Sequence, residues 1–99
     1  MKPATFLPES QIELTEAARF YEAQVVGLGD AFLNAVEGAV ADLREHPVRW
    51  PVIARHIRKR AIGRFPYAVL YRDTPEEVII VAVMHLHRRP RYWIKRSQG

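Results

Sequence analysis

The 99-residue chain contains no cysteine, which excludes a disulfide framework and any chemistry that depends on a thiolate. Long apolar runs are also missing, since no segment approaches the length of about eighteen residues that a membrane helix needs. The four histidines lack partners at the spacing of a zinc site. We therefore expect a soluble cytoplasmic protein without a signal peptide, a single domain over residues 1–99, with no membrane contact, no metal and no cofactor.

Charge is distributed unevenly along the chain. Residues 1–48 carry three Lys/Arg against eight Asp/Glu, a net charge of −5, whereas residues 49–99 carry twelve against three, a net charge of +9. A basic half of this kind attracts an anionic partner, either a nucleic acid or an acidic protein segment. The plain alternative is that the cations only keep a small protein in solution. Charge alone leaves these interpretations open.

Two amphipathic helices are predicted in the acidic half. Apolar residues recur every three to four positions from Pro8 to about Val25 and again from about Asp30 to Glu45, which is the spacing of a helix with one buried face. Gly27-Leu28-Gly29 provides a stop between the helices, and His46-Pro47 ends the second one. The predicted buried residues of the second helix are Phe32, Val36, Ala39, Val40 and Leu43.

Strands are predicted at the start of the chain and throughout its basic half. The candidates are Ala4 to Leu7 and, after a loop containing Trp50-Pro51, Ile57 to Ile62, Tyr67 to Arg72 and Val78 to His85. Turn residues at 73–76 indicate that the last two form an antiparallel hairpin. The last run is apolar on both faces, which is typical of a central strand. The order β-α-α-β-β-β predicts an α+β fold in which a helical hairpin packs on a small, mainly antiparallel sheet.

Cations are concentrated in and after the predicted strands. Arg58 and Arg60 would share one face of their strand while Lys59 takes the other. Together with cations further along the chain, they form a candidate surface for phosphate groups or for an acidic partner. The alternative is a charged strand edge that resists aggregation. The candidate binding residues are Arg58, Arg60, Arg72, Arg88, Arg89, Arg91 and Trp93.

The aromatic residues fall into two groups. Phe65, Tyr67 and Tyr71 are placed with a period of two, which is typical of the packed face of a strand and favours the core over base stacking. Tyr92 and Trp93 belong to a terminal apolar cluster. We expect this cluster either to fold back on the body of the protein or to anchor a partner.

Four pieces of the sequence together resemble one known family. They are Gly27-Leu-Gly-Asp-Ala-Phe-Leu33, His46-Pro47 with Pro51 downstream, Arg64-Phe-Pro-Tyr-Ala-Val-Leu-Tyr71, and Ala82-Val-Met-His85 continuing through Arg88, Pro90 and Trp93. In this order and spacing, over about Phe6 to Trp93, the chain resembles the RelE/ParE toxins of type II toxin–antitoxin systems, and more closely their ParE branch. The resemblance implies the α+β fold given above, a cognate antitoxin as partner, and inhibition of DNA gyrase without enzymatic activity.

The RelE branch implies an alternative function, the cleavage of mRNA in the ribosome. That chemistry needs a base for the ribose 2′-hydroxyl and cations for the phosphate. Related nucleases commonly use an arginine late in the last strand, a position that holds Leu86 here, and a tyrosine or histidine near the C-terminus. His85 and His87 would share a strand face and titrate near neutrality, or they are an ordinary polar strand end. If the chain is a nuclease, the catalytic candidates are His85, His87, Arg88 and Tyr92.

A third hypothesis is a binding module of the same fold that is no longer toxic.

Overall fold

Two α-helices, five strands and a short 3₁₀ helix are the regular elements of the residues that the computed structural model describes, 1–88 and 91–98. The predicted α+β class is confirmed, and the predicted helices and strands lie within one or two residues of their expected bounds. In chain order the elements are β1 Ala4–Phe6, α1 Pro8–Gln24, α2 Leu28–Glu45, β2 Val52–Ala54, β3 Ile57–Ile62, β4 Tyr67–Asp73, β5 Val78–His85 and a short 3₁₀ helix Ile94–Gln98.

One short strand, β2, adds to the predicted order. It pairs antiparallel with β3, where Val52 lies opposite Arg58. It follows Pro51, which has no N–H to donate to a strand ladder. Three residues are too few to show a period of two, and the side chains of Val52 and Ile53 are 50% and 43% exposed. The segment is therefore too short and too exposed to show the alternation of apolar and polar residues by which a strand is predicted from sequence.

The helical hairpin turns at two glycines that do different things. Gly27 has a φ of 89°, a left-handed conformation that a residue with a Cβ adopts only at a cost. Gly29 allows close approach of the helices, because a Cβ there would lie 2.7 Å from the backbone oxygen of Ala18. The Glu22 carboxylate accepts hydrogen bonds of 3.0–3.1 Å from the N–H groups of Gly27 and Gly29. A side chain of α1 therefore caps the start of α2.

The sheet has the strand order β1-β5-β4-β3-β2. Only β1 and β5 pair in parallel, and the other neighbouring strands are antiparallel, which confirms the predicted, mainly antiparallel sheet. Burial of Val78 and of every residue from Ile80 to Met84 confirms that both faces of β5 are covered, as expected. The partner strand β1 reaches only from Val78 to Ile80, however. The second half of β5 therefore lies at an edge of the sheet.

The main core lies between the helical hairpin and one face of the sheet. Phe32 is fully buried, and its ring meets those of Tyr21, Phe65 and Tyr67 at centroid distances of 5.0–5.3 Å. Tyr71 is also fully buried, and its hydroxyl donates a 2.6 Å hydrogen bond to the carbonyl of Pro47. The three aromatic side chains that alternate along β4 and its approach therefore belong to the core, as predicted.

A second apolar cluster covers the opposite face of the sheet. Trp93 is 3% exposed and packs there with Ile57, Leu70, Ala82 and Met84. The terminal aromatic cluster thus folds back on the body of the protein, which is one of the two expected outcomes. Both faces of the central strands are covered, one by the helices and the other by the segment that leads into the 3₁₀ helix.

Candidate functional site

The cations of β3 are used within the protein itself. Arg58 Nη1 donates to the carbonyls of Trp50 and Val48 at 2.7 and 3.2 Å. Arg60 Nη2 pairs with Asp42 Oδ2 on α2 at 2.7 Å, and its guanidinium lies 5.2 Å from the centre of the Trp50 ring. These two candidate binding residues therefore tie the loop after α2 to the sheet.

The structure does not bring the predicted cations together on one surface. Arg58 lies opposite Tyr71 and Arg60 opposite Val69, on the face that the helices cover. Arg72 lies opposite Ile57, which belongs to the cluster on the other face. Arg89 falls outside the described residues. The cations that do gather near one another are Arg88 and Arg91, together with Lys59 from the opposite side of β3.

These cations border a groove on the face of the sheet away from the helices. The groove has a volume of about 340 Å³ and is lined by Ile53, Ala54, Lys59, Met84, Leu86, Arg88, Arg91 and Trp93. We call it the basic groove. Its uncharged lining residues are apolar, its charged residues are all cations, and no carboxylate lines it. Within the described ranges neither Lys59 nor Arg91 forms an ion pair, so both charges are available to a partner.

A largely buried carboxylate holds the segment that forms one wall of the basic groove. Glu13 Oε2 accepts a 2.6 Å hydrogen bond from the hydroxyl of Tyr92, and Glu13 Oε1 accepts one of 2.9 Å from Arg96. The side chains of Glu13 and Arg96 are only 11% and 16% exposed. We call Glu13, Tyr92 and Arg96 the Glu13 clamp. Because Trp93 lies between two of its members in the chain, the clamp fixes where the indole packs.

The Glu13 clamp also covers the edge of β5 that β1 leaves open. Beyond Ile80, the N–H of Val83 donates to Glu13 Oε1 at 3.1 Å, and the carbonyl of Val81 accepts from Arg96 at 3.3 Å. Unpaired backbone groups at a strand edge would otherwise be open to pairing with another chain. Side chains from α1 and from the C-terminal segment thus take the place of a neighbouring strand.

The Glu13 clamp shifts the ionisation of its own members. Burial raises the pKa of the Tyr92 hydroxyl, and the hydrogen bond to Glu13 raises it further, because ionisation would place an anion beside the carboxylate. For Arg96, burial lowers the pKa, but the hydrogen bond and the charge of Glu13 outweigh it and the net pKa is raised. The Tyr92 hydroxyl is therefore held protonated as a donor, which is the reverse of what a general base requires.

His85 and His87 lie together but not on one strand. β5 ends at His85, so the expectation that both histidines share a strand face is wrong. A turn follows the strand directly. Leu86 N–H donates to the carbonyl of Pro66, and Arg88 N–H donates to that of His85. The imidazole rings still approach to 5.3 Å between centroids. His87 N–H donates to His85 Nδ1 at 3.1 Å, which leaves Nε2 to carry the proton of the neutral His85 ring.

A second cleft lies on the α1 side of the same strand end. It measures about 230 Å³ and is lined by Glu13, Glu16, Ala17, Phe20, Tyr67, Val83, His85 and Arg88. The His85 ring meets the edge of Tyr67 at 5.0 Å, and Arg88 stacks over Tyr92 at 4.1 Å. Arg88 therefore borders both this cleft and the basic groove. Of the four catalytic candidates, Tyr92 is bound to Glu13, and His85 has its acceptor nitrogen in use.

Sequence reasoning missed Glu13 and Arg96. A signal for Glu13 was present, because Ser10, Glu13 and Ala17 repeat at helical spacing on the side of α1 that is buried. A polar residue in such a stripe needs a partner, although nothing in the sequence indicates that the partner is 83 residues away.

Neither a metal site nor a membrane segment is found in the described residues. Across residues 1–88 and 91–98, no cluster of three or more His, Asp or Glu side chains is arranged to bind a metal ion. None of the helices in those ranges has the length and hydropathy that crossing a bilayer would take.

Comparisons with known proteins agree on one relationship. A family model described as the ParE toxin of the type II toxin–antitoxin system parDE matches residues 5–90. Among solved structures, a chain of the "Chromosomal ParDE TA system from P. aeruginosa" has a similar fold, with a TM-score of 0.61 and 16% sequence identity. That likeness covers 86% of this chain and 96% of the other. No curated protein matches the sequence.

Proposed function

The chain belongs to the ParE toxin family, whose model spans residues 5–90, and on this premise we propose that it inhibits DNA gyrase by binding to it and that a cognate antitoxin neutralises it in the cytoplasm. The toxin is then an inhibitor whose activity depends on its surface. It needs no positioned base, no nucleophile and no cofactor.

The observation that carries the proposal is the bonding of two of the side chains that a nuclease would use, those of His85 and Tyr92. In the described residues the acceptor nitrogen of His85 takes the His87 N–H, and the hydroxyl of Tyr92 is donated to Glu13. A raised tyrosine pKa also lowers the fraction of Tyr92 present as the phenolate that could take a proton. These contacts support binding over cleavage, because a base must have a free lone pair before it can take a proton.

The basic half of the chain supports a protein partner. Arginine and aromatic side chains tend to dominate interface energies, and Arg88 is exposed at the junction of the two clefts. An acidic segment of gyrase or of the antitoxin would find complementary charge there.

The test is induced expression of the chain in bacteria, with DNA breakage and mRNA integrity scored in the same culture. The proposal predicts growth arrest with broken DNA and a DNA damage response, both relieved by the antitoxin. His85→Gln keeps a polar side chain of similar size but removes the imidazole that a nuclease would use as its base. This variant should arrest growth as the unmodified chain does. Arrest with intact DNA and with mRNA cut at ribosomal A sites would contradict the proposal. Loss of that cleavage in His85→Gln would then assign the chain to the nuclease alternative.

A further inference from the structure

We infer that the basic groove is the site where the antitoxin inserts an acidic and apolar segment, with a carboxylate placed between Lys59 and Arg91 and an aliphatic side chain against Ile53 and Leu86. The inference rests on the proposed function, because it takes the antitoxin as the occupant. It names the surface and the chemistry of recognition, which the proposed function leaves open.

The charge of the basic groove argues for an acidic occupant. Lys59, Arg88 and Arg91 all line it, and no carboxylate does. Arg88 is partly engaged by the ring of Tyr92, whereas Lys59 and Arg91 have no ion pair within residues 1–88 and 91–98. Three like charges around one cavity repel each other, and an incoming carboxylate relieves that repulsion.

The uncharged lining of the basic groove argues for protein over nucleic acid. Single-stranded nucleic acid is held by stacking of bases on open aromatic faces. Trp93 is 3% exposed, and the guanidinium groups of Arg88 and Arg96 lie 4.1 and 5.0 Å from the centre of the Tyr92 ring. The uncharged side chains that remain exposed are aliphatic, since Ile53 and Leu86 are 43% and 41% exposed. Exposed aliphatic side chains beside a cavity fit an apolar side chain of a partner protein.

The basic groove is formed before a partner arrives. The Glu13 clamp fixes the segment that carries Trp93, and Lys59 projects from a strand paired on both sides, with β2 and β4. A site on rigid elements loses little conformational entropy when it binds.

The experiment compares Lys59→Glu with Lys95→Glu, using the purified cognate antitoxin as the probe. Both variants make the same charge reversal on an exposed or half-exposed lysine, but Lys95 is not part of the basic groove. We expect antitoxin affinity, measured by titration calorimetry on the purified chain, to fall about 10- to 100-fold for Lys59→Glu, because like charges would then face each other. Affinity for Lys95→Glu should stay within about twofold of that of the unmodified chain, as expected for a charge outside the contact.

Two further measurements keep the inference testable if Lys59→Glu folds poorly. Lys59→Met keeps the length of the apolar stem and removes only the charge, and it should weaken binding while reducing the dependence of affinity on salt. Antitoxin variants selected to rebind Lys59→Glu should carry Asp or Glu replaced by Lys or Arg. Suppressors of that kind would identify the carboxylate that enters the groove.

The outcomes separate this inference from the proposed function. Equal antitoxin affinity for Lys59→Glu and Lys95→Glu would overturn the inference and leave gyrase inhibition untouched. An unmodified chain that binds no antitoxin would instead count against the proposed function. Binding of a labelled single-stranded RNA that Lys59→Glu abolishes, with antitoxin binding unchanged, would assign the groove to nucleic acid and also overturn the inference.

Discussion

Removing the Glu13 carboxylate should cost the protein a large part of its stability. Glu13 accepts hydrogen bonds from Tyr92, Arg96 and the N–H of Val83 at 2.6, 2.9 and 3.1 Å, and it is only 11% exposed, so water has little access to these donors. Breaking a buried ion pair by removing one partner costs about 3–5 kcal/mol. We expect Glu13→Ala to lose about that much, against a total stability of about 5–15 kcal/mol for a native protein.

A milder variant tests the charge of the Glu13 side chain separately from its shape. Glu13→Gln keeps one acceptor oxygen and the length of the side chain, but its amide nitrogen accepts no hydrogen bond, so two of the hydrogen bonds donated to the carboxylate are lost. Hydrogen bonds to charged groups are worth about 1.5–3 kcal/mol, and we expect a loss in that range. The matched control is Glu16→Gln, one helical turn later, where the side chain is exposed and forms no hydrogen bond within the described ranges. Its stability should change by less than about 0.5 kcal/mol.

The assay is urea unfolding followed by tryptophan fluorescence, because Trp93 is buried against the sheet and reports on the segment that the clamp holds. The free energy of unfolding follows from the midpoint and the slope with denaturant. If Glu13→Gln unfolds at the same urea concentration as Glu16→Gln, the clamp does not stabilise the fold and the reasoning is refuted.

Two further predictions concern the helical hairpin and alkaline pH. Gly29→Ala should destabilise the protein by about 1–3 kcal/mol, because the new Cβ would lie 2.7 Å from the backbone oxygen of Ala18. Gly38→Ala, whose Cβ would meet nothing within 4 Å, should instead stabilise it by about 0.5–1 kcal/mol, and thermal melting of the two variants checks the contrast. The pKa of Tyr92 is raised above its ordinary value of 10.0, so the folded state keeps a proton that the unfolded state loses. Stability should be independent of this group below pH 10 and fall as pH rises beyond it, and urea midpoints between neutral and alkaline pH that show no such fall would contradict this.

The helices and the longer strands could be predicted because their patterns are local. Phe32 and Val36 are four residues apart on one helical face, and both are buried. β5 is apolar at almost every position because both of its faces are covered. Such patterns can be read without knowledge of the rest of the chain, because the spacing of the apolar residues indicates which face of a helix or strand is buried.

The candidate site could be predicted only in part, because its geometry depends on which face of the sheet the helices cover. The alternation along β3 correctly placed Arg58 and Arg60 on one face and Lys59 on the other. It does not indicate that α2 and the loop after it occupy the first face, where they engage both arginines. Of the three cations of β3, the one that lines the basic groove is therefore Lys59, which was not among the candidate binding residues.

The most direct test of the account is the supercoiling of relaxed plasmid by purified DNA gyrase, with the chain added at increasing concentration. If the chain is a gyrase inhibitor, supercoiling should slow and cleaved DNA should accumulate as the chain is added, and a stoichiometric amount of antitoxin should restore supercoiling. Gyrase that works at its full rate in a large excess of the chain, while programmed ribosomes in a parallel reaction lose their mRNA, would contradict the account.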